Sequence, residues 1–312
     1  MNSPFVLDCD TGRDDALTIW LALSNQYPLK AVITSYGNVG VMKVTDNTLR
    51  VLDYANGKAI PVWQGAKQPI KPHRLYEDMV RPRQMASGNG LCDIELPGTT
   101  RPFEVKNAKE RCKSLESLAD ENGALDYLII GPATNFAEMV IADHQSLRKS
   151  VKKVFMMGGK FDALWDEMPG ADFNIAADPY AVQTILDAGY HINFIPMNIT
   201  WQVKIPVKDL PDLKTESPLG QMTKDLMIAH SKNFSQDTHF RFHDPVAMLS
   251  MMDETKFTPA RISLQLNSEH DDFGRLLKGK GTTNSLLYEV SKSEIEQMLL
   301  LIKSTFFLED CC

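Results

Sequence analysis

The sequence predicts an α/β fold built on an open, mostly parallel sheet, and two observations carry this prediction. Short apolar runs alternate along the chain with longer segments whose apolar residues recur at helical spacing. Polar residues follow several of the apolar runs directly, as expected where a ligand binds beyond the carboxyl ends of parallel strands. Because alternating strands and helices form parallel sheets through right-handed crossovers, we expect a Rossmann-like sheet with helices on its flanks.

The alternation of strands and helices extends from the N-terminus to about Thr200. The predicted strands are Phe5–Leu7, Leu29–Ser35, Leu125–Ile130, Val151–Met157 and Ile192–Pro196. The predicted helices are Asp14–Ser24, Val41–Tyr54, Glu104–Glu121, Asn135–Asp143 and Asp178–Ala188. Residues 63–102 are rich in proline, glycine and charge, which predicts long loops that act as a functional lid.

A mostly helical pattern follows Thr200 and predicts an elaborated, helical C-terminal part. Its predicted helices are Leu219–Phe234, Asp244–Met251 and Ser291–Phe306, with a short strand pair near 262–277. No internal repeat, low-complexity segment or linker interrupts the pattern. Residues 1–312 are therefore expected to form a single domain.

Composition and charge exclude several functional classes. The net charge of −7 disfavours a nucleic-acid binder, which needs clusters of Lys and Arg. No apolar stretch approaches the length of a membrane span, and no signal peptide is found at the N-terminus. The cysteines show no metal-ligand spacing and are expected to be the reduced thiols of a cytoplasmic protein: Cys9, Cys92, Cys112, Cys311 and Cys312.

The most informative stretch is the sequence LDCDTGRDDAL at residues 7–17, where a predicted strand meets a predicted helix. Four aspartates lie within it, at positions 8, 10, 14 and 15. Capping of the helix would explain one or two of them, but four carboxylates in a partly buried crevice would repel one another. A hard divalent cation removes that repulsion, and carboxylate oxygens are its natural ligands. The stretch therefore predicts a metal site.

Four later segments complete a pattern that can be compared with a known family. In chain order they are Gly131–Asn135, Met157–Gly159, Asp172–Asn174 and His243–Pro245. With the aspartate stretch, this ordered set resembles the inosine–uridine nucleoside hydrolase family from residue 5 to about 250. The resemblance implies a nucleoside N-ribohydrolase of purine or pyrimidine salvage, which uses water to cleave the bond between ribose and base. It also implies assembly as a homodimer or homotetramer.

The resemblance implies a catalytic centre that contains Ca²⁺. The ion would be held by Asp10, Asp15, Asp244 and the backbone carbonyl of Thr134, since oxygen-only ligands at loop ends suit calcium. Asp10 would act as the general base towards a calcium-bound water. His243 would be the acid that protonates the leaving base.

The same resemblance implies a set of residues that bind the sugar. Asp14, Asn38 and Asn174 would hold ribose hydroxyls, and Asp166 and Asp172 would handle the 5′-hydroxyl. Two of these positions depart from the family. Asp172 replaces the usual Glu and reaches less far, and Asp166 replaces the usual Asn and adds a charge that disfavours a 5′-phosphate.

The remaining expectations concern the base and one nearby loop. Relatives often have a His where this chain has Ser87, so the departure bears on substrate preference. The pocket for the leaving base is expected along a helix at Leu226–Phe240, with Phe234, Gln236 and His239 as candidates to face it, although packing would explain each equally well. Purine or pyrimidine preference stays open.

Two other functions fit part of the pattern. A haloacid-dehalogenase-type phosphohydrolase also begins with Asp-x-Asp at a strand end and uses Mg²⁺, as Asp8 and Asp10 would allow. However, no convincing set of the later Lys and acidic pair that it needs is found. The altered ribose positions also allow a nucleoside- or ribose-binding protein with impaired catalysis.

Overall fold

The computed structural model describes residues 3–57, 59–86, 88–161, 171–233, 236–254, 258–266, 275–278 and 282–308. Several residues singled out from the sequence lie outside these ranges: Ser87, Asp166, Phe234, Cys311 and Cys312. No helix within the described ranges is long and apolar enough to cross a membrane.

One large sheet organises the described residues. Its strands are β1 (Phe5–Cys9), β2 (Leu29–Thr34), β3 (Val62–Gln64), β4 (Glu104–Val105), β5 (Leu125–Ile129), β6 (Val151–Met157), β7 (Ile192–Ile195), β10 (Thr258–Leu266), β11 (Leu276–Lys278) and β12 (Thr282–Glu289). Their order is β11-β10-β12-β7-β6-β5-β1-β2-β3-β4. Neighbours from β12 to β4 run parallel, whereas β10 is antiparallel to both β12 and β11. The predicted α/β fold is confirmed.

Helices cover the sheet, and a small ribbon stands apart from it. The helices are α1 (Arg13–Ser24), α2 (Val41–Tyr54), α3 (Arg81–Ala86), α4 (Ala108–Asn122), α5 (Thr134–Ser150), α6 (Phe173–Ala177), α7 (Pro179–Asp187), α8 (Met197–Thr200), α9 (Pro218–Asn233), α10 (His243–Met252) and α11 (Lys292–Phe306). A π-helical turn spans Tyr76–Val80 and a 3₁₀ helix spans Val207–Asp212. β8 (Lys204–Pro206) and β9 (His239–Arg241) form a separate antiparallel pair.

The central strands are buried on both faces, which explains their continuous apolar character. In β1, Phe5, Leu7 and Cys9 pack into one hydrophobic cluster, while Val6 packs into a second. This division follows the two-residue period of a strand, whose side chains point alternately to opposite faces. The indole N–H of Trp20 on α1 donates to the Val51 carbonyl at 2.9 Å and ties α1 to α2. The sheet thus holds the end of β1 rigidly between two layers.

Several predicted boundaries were wrong, each for a local reason. The helix predicted from Glu104 begins at Ala108, because Asn107 caps it by accepting the Glu110 N–H at 3.1 Å. Residues 104–105 instead form the edge strand β4. The helix predicted to end at Asp143 continues to Ser150, with a kink where Asp143 has non-helical backbone angles.

Two further segments differ from prediction. Residues 63–102 include most of β3, the π-helical turn and α3, so this stretch is not loop alone. The C-terminal part contributes three strands to the sheet rather than one short pair. The helix expected to reach Phe240 ends at Asn233, and His239 instead begins β9.

Candidate active site

The carboxyl ends of the parallel strands open into a cavity of about 360 Å³. Its lining combines carboxylates, cations and apolar side chains: Asp10, Arg13, Asp14, Asn38, Met79, Arg83, Ile130, Met157, Lys160, Ala171, Asp172, Phe173, Asn174, Met197, His243 and Asp244. These residues lie far apart in the chain and meet because parallel strands end at one edge of the sheet. The cavity is large enough for a small organic ligand.

Asp10 lies immediately beyond β1 and is almost fully buried. Its Oδ2 accepts the Asn38 backbone N–H at 2.6 Å, which fixes the carboxylate against the loop after β2. Two glycines leave room for it: a Cβ added at Gly37 would overlap Asp10 Oδ2, and one at Gly131 would lie 2.8 Å from Oδ1. The loops after β2 and β5 therefore form a close-fitting cradle for this carboxylate.

Asp15 lies in the first turn of α1, directly behind Asp10. Its Oδ1 accepts the Asp10 N–H at 3.2 Å, and its Oδ2 accepts the Gly12 N–H at 3.0 Å. The Asn38 amide also donates to Asp15 Oδ2, at 3.4 Å. Asp15 thus connects the strand end, the turn and the helix start.

Asp14 joins the beginning of the chain to its later part. Its Oδ2 accepts the backbone N–H groups of His243 at 2.9 Å and Asp244 at 3.2 Å, at the start of α10. Its Oδ1 is buried without a hydrogen-bond partner among the described residues. This single carboxylate caps α10 and brings Asp244 to the same cavity as Asp10.

Burial, reinforced by the charges of neighbouring carboxylates, disfavours the ionisation of this cluster. Burial first, and then the charge of Asp15, raise the pKa of Asp10 well above its usual range. Burial raises the pKa of Asp14 to about 6 and that of Asp15 to about 7. Burial, followed by the charges of Asp14, Asp15 and Asp10, raises the pKa of Asp244 well above its ordinary value. Such a cluster needs protons or a cation to be stable.

The metal ligands inferred from the resemblance are brought together only in part. Asp10 and Asp244 line the cavity, whereas Asp15 and Thr134 lie behind its wall. The Thr134 hydroxyl donates to Asp178 Oδ2 at 2.8 Å. Within the described residues, no group of three or more His, Cys, Asp or Glu side chains is arranged to hold a metal ion.

Asp8, one of the four aspartates in the stretch at residues 7–17, does not join the cluster on the cavity side. Its Oδ1 accepts from the Asn135 amide at 2.8 Å and its Oδ2 accepts the Tyr127 hydroxyl at 2.9 Å. Burial raises the pKa of Asp8 to about 7. Its role is to tie β1 to β5 and α5.

Asp172 and Asn174 lie across the cavity, at the start of α6. The Asp172 carboxylate caps this helix, accepting the N–H groups of Asn174 at 3.0 Å and Ile175 at 3.2 Å, and that of Gly159. The Asn174 amide donates to the carbonyls of Ile130 at 2.9 Å and Met157 at 3.1 Å. Both side chains are thus oriented by the backbone at the ends of β5 and β6.

Among the described residues, His243 is the histidine that lines the cavity. Its Nδ1 shares a hydrogen bond of 2.7 Å with the Thr200 hydroxyl, and its ring centroid lies 6.0 Å from that of Trp201. Burial, then the positive charges of Arg13, Arg241 and Arg83, lower its pKa to about 3. The imidazole is therefore neutral near pH 7 in this arrangement.

Of the residues predicted to face the leaving base, Gln236 and His239 are not among the described residues that line the cavity, and Phe234 lies outside the described residues. Sequence reasoning also missed three cations that do line it: Arg13, Arg83 and Lys160. Only Arg13 carried a usable signal, because it lies inside the aspartate stretch at the strand end.

Comparison with known proteins identifies the family. Residues 5–295 match the model of the inosine-uridine preferring nucleoside hydrolases. Uridine nucleosidase 1 of Arabidopsis thaliana is 28% identical over 286 residues, covering 88% of this chain and 82% of that protein. A pyrimidine-specific ribonucleoside hydrolase RihA from Photobacterium profundum is 30% identical over 268 residues, covering 82% of each.

A solved structure agrees with this assignment at the level of the fold. The purine-preferring ribonucleoside hydrolase from Gardnerella vaginalis superposes with a TM-score of 0.79 at 23% identity, covering 97% of this chain and 99% of that one. The family match also decides against the dehalogenase-type phosphohydrolase considered from Asp8 and Asp10. The chain therefore belongs to the inosine-uridine preferring nucleoside hydrolase family and is a nucleoside N-ribohydrolase.

Proposed function

We propose that this enzyme hydrolyses pyrimidine ribonucleosides with a water molecule that is activated beside Asp10 and a bound Ca²⁺. The observation that carries the proposal is the convergence of Asp10, Asp14 and Asp244 on one cavity, with Asp15 directly behind them. Their mutual repulsion and burial are relieved by a cation of the kind that prefers carboxylate oxygens. The names of the curated relatives support uridine or cytidine as substrates.

The residues present fit a hard cation. All the candidate donors are oxygens, and the buried Asp14 Oδ1 has no hydrogen-bond partner among the described residues. Asp10, Asp15, Asp244 and the Thr134 carbonyl would hold the ion. When bound, calcium would supply a positive charge that makes a neighbouring water more acidic.

The chain's own residues have separate tasks in this proposal. Asp10 would take a proton from the water, while the Asn38 N–H holds its carboxylate in position. Asp14, Asn38 and Asn174 would fix the ribose hydroxyls. Because the Asn174 amide nitrogen is engaged by Ile130 and Met157, its carbonyl oxygen would accept from the sugar.

His243 would contact the leaving base. The neutral ring can accept the Thr200 hydroxyl at Nδ1 and donate one N–H from Nε2 towards the base. Asp172, held as a helix cap, would contact the 5′-hydroxyl only through the oxygen lone pairs that its backbone donors leave available. Asp166 would complete this subsite.

A reducing-sugar assay tests the proposed activity. Uridine, cytidine and inosine are incubated with the enzyme in the presence of Ca²⁺, and again after addition of a chelator. We expect ribose release from uridine or cytidine that the chelator abolishes. Absence of ribose release, together with thermal stabilisation by ribose, would instead support the binding protein with impaired catalysis.

A further inference from the structure

Lys160 lines the same cavity as the carboxylates, and the proposed reaction gives it no task. It lies just beyond the end of β6, and only 7% of its surface is exposed. Burying an ammonium group costs free energy that hydrogen-bond acceptors around it offset. At the wall of a substrate cavity, a bound ligand can supply one of those acceptors.

The backbone on both sides of Lys160 is held by the start of α8. The Gly159 carbonyl accepts the Met197 N–H at 2.9 Å. The Phe161 N–H donates to Asn198 Oδ1 at 3.0 Å, and the Asn198 amide donates back to the Phe161 carbonyl at 2.8 Å. Lys160 is therefore anchored at a fixed point of the wall, as recognition of one particular part of a ligand requires.

This point lies beside Asp172 and apart from Asp10. The Gly159 N–H donates to the Asp172 carboxylate, so the residue before Lys160 touches that side chain. Burial lowers the pKa of Lys160 and the charge of Asp172 opposes this shift, in agreement with that proximity. Because β5 separates β6 from β1 in the sheet, the ends of β6 and β1 are roughly 10 Å apart. Lys160 and Asp10 therefore serve different parts of a bound nucleoside.

A sugar hydroxyl that lies against Asp172 needs a donor as well as an acceptor. Its hydrogen can be donated to the carboxylate, whereas its oxygen has two lone pairs that accept. Ionised Asp172 cannot donate, and the Asn174 amide nitrogen already donates to the carbonyls of Ile130 and Met157. The Lys160 ammonium has three N–H groups, so it can keep a carboxylate neighbour and still donate to a sugar oxygen.

Building on the proposed function, we propose that Lys160 is a specificity-determining residue, which donates a hydrogen bond to the 5′ oxygen of the ribose. The 5′-hydroxyl then donates to Asp172 and accepts from Lys160. The preferred substrates are ribonucleosides with a free 5′-hydroxyl. A 5′-deoxy sugar is disfavoured, because it leaves both buried groups without this partner.

The test compares uridine with 5′-deoxyuridine, which lacks only the 5′ oxygen. Lys160→Met keeps a similar length of side chain but cannot donate a hydrogen bond. At saturating Ca²⁺, we expect kcat/KM for uridine to fall by about 10- to 100-fold, the range for a hydrogen bond to a charged group. For 5′-deoxyuridine it should fall by less than about threefold, so the preference of the parent for uridine largely disappears. Lys160→Arg, which keeps a charged donor, should retain part of that preference.

Lys153→Met is the matched control. Lys153 lies on the same strand, forms an ion pair with Glu254 and is not among the described residues that line the cavity. This variant should keep the ratio of kcat/KM for the two substrates within about twofold of the parent. The Tm of every variant reports its folding. If Lys160→Met does not fold, Lys160→Gln, which keeps a polar end but loses the charge, carries the comparison.

Two outcomes would overturn the inference while leaving the proposed function intact. One is a Lys160→Met variant that prefers uridine as strongly as the parent does, whether or not its rates fall. The other is a parent enzyme that cleaves both substrates equally well. A parent that releases uracil from neither substrate would overturn the proposed function, and the inference with it.

Discussion

Asp10 is the side chain whose chemistry is needed most directly in the proposed reaction. Asp10→Asn keeps the shape and can still accept the Asn38 N–H, but an amide cannot take a proton from water. We expect kcat for uridine to fall by about 10²- to 10⁴-fold, as measured by ribose release at saturating Ca²⁺. Because a buried charge is removed, the Tm of the calcium-free protein should not decrease.

Asp8→Asn provides the control for this substitution. The same chemical change is made two positions earlier, on a carboxylate that faces Tyr127 and Asn135 rather than the cavity. Ribose release should stay within about tenfold of the parent. Equal activity of Asp10→Asn and the parent would exclude Asp10 as the base.

Gly37 offers a steric test of the same carboxylate. In Gly37→Ala, the added Cβ would overlap Asp10 Oδ2 and displace it. A displacement of about 1 Å in a catalytic group typically costs about 10²-fold in rate, which is the loss we expect. Gly40→Ala is the matched control, since a Cβ there meets nothing within 4 Å. Similar rates for the two variants would contradict the claim that Gly37 leaves the space that the Asp10 carboxylate needs.

At the scale of single residues, the sequence indicated which residues belong to the site better than it indicated where their side chains point. Asp10 and Asp14 could be singled out because they lie in the aspartate stretch at a predicted strand end, whereas Asn38, Asp172 and Asn174 were assigned to the site by the family resemblance. The orientation of Asp8 away from the cavity could not, because it depends on hydrogen bonds from β5 and α5. The cations of the cavity wall were missed because isolated basic residues in a sequence indicate a solvated surface.

Helix α6 provides a prediction at the scale of an element. Asp172 caps this five-residue helix, so Asp172→Ala removes the acceptor for several backbone N–H groups. We expect a loss of about 1–2 kcal/mol in the free energy of unfolding, measured with urea, and a higher KM for uridine. The KM rises because α6 also carries Asn174.

Ser291→Ala separates the loss of stability from the rise in KM. Ser291 caps α11 by accepting the Glu294 N–H at 3.2 Å, and it is not among the described residues that line the cavity. Its loss should cost about 1 kcal/mol of stability with no change in KM. If Asp172→Ala also left KM unchanged, the cap would have no part in positioning the sugar.

Helices and strands were predictable where the apolar residues of a segment recur with a clear period. Val41–Tyr54 and Val151–Met157 have the bounds that the apolar period predicts. The start of α4 was missed although Asn107 and Glu110 form a capping box, because the apolar period alone does not mark where a helix begins. The short strands β4 and β11 have too few residues for a period to be recognised.

At the scale of the whole molecule, calcium should control stability in a manner that depends on pH. The folded-state pKa values of Asp14, about 6, and Asp15, about 7, exceed the ordinary 3.8. Without metal, the fold therefore loses stability as pH rises through these values, since ionisation is costlier in the folded state. Calcium binds the ionised forms and offsets that cost.

The resulting Tm shift should be larger at about pH 8 than at about pH 6, because protons compete with the metal for the carboxylates. Calcium at about 100 times its Kd would add about 2.7 kcal/mol to the free energy of unfolding. Differential scanning calorimetry with Ca²⁺, and with Mg²⁺ for comparison, measures this shift. A calcium effect independent of pH would place the ion away from these aspartates.

Only the class of the global fold could be predicted from the sequence. Alternating strands and helices predicted a parallel sheet, but the order of the strands depends on long-range packing that no local pattern encodes. The contact of Asp14 with the start of α10, which closes the site, spans 229 positions to His243. Only the family resemblance suggested that these two segments meet.

The central claim is that aspartates from both parts of the chain bind one calcium ion. An anomalous difference map from crystals grown in CaCl₂, recorded at long wavelength, tests it most directly. We predict one strong peak within coordination distance of oxygens from Asp10, Asp15 and Asp244. A map without a peak at that position, or with calcium bound only elsewhere on the protein, would contradict the account.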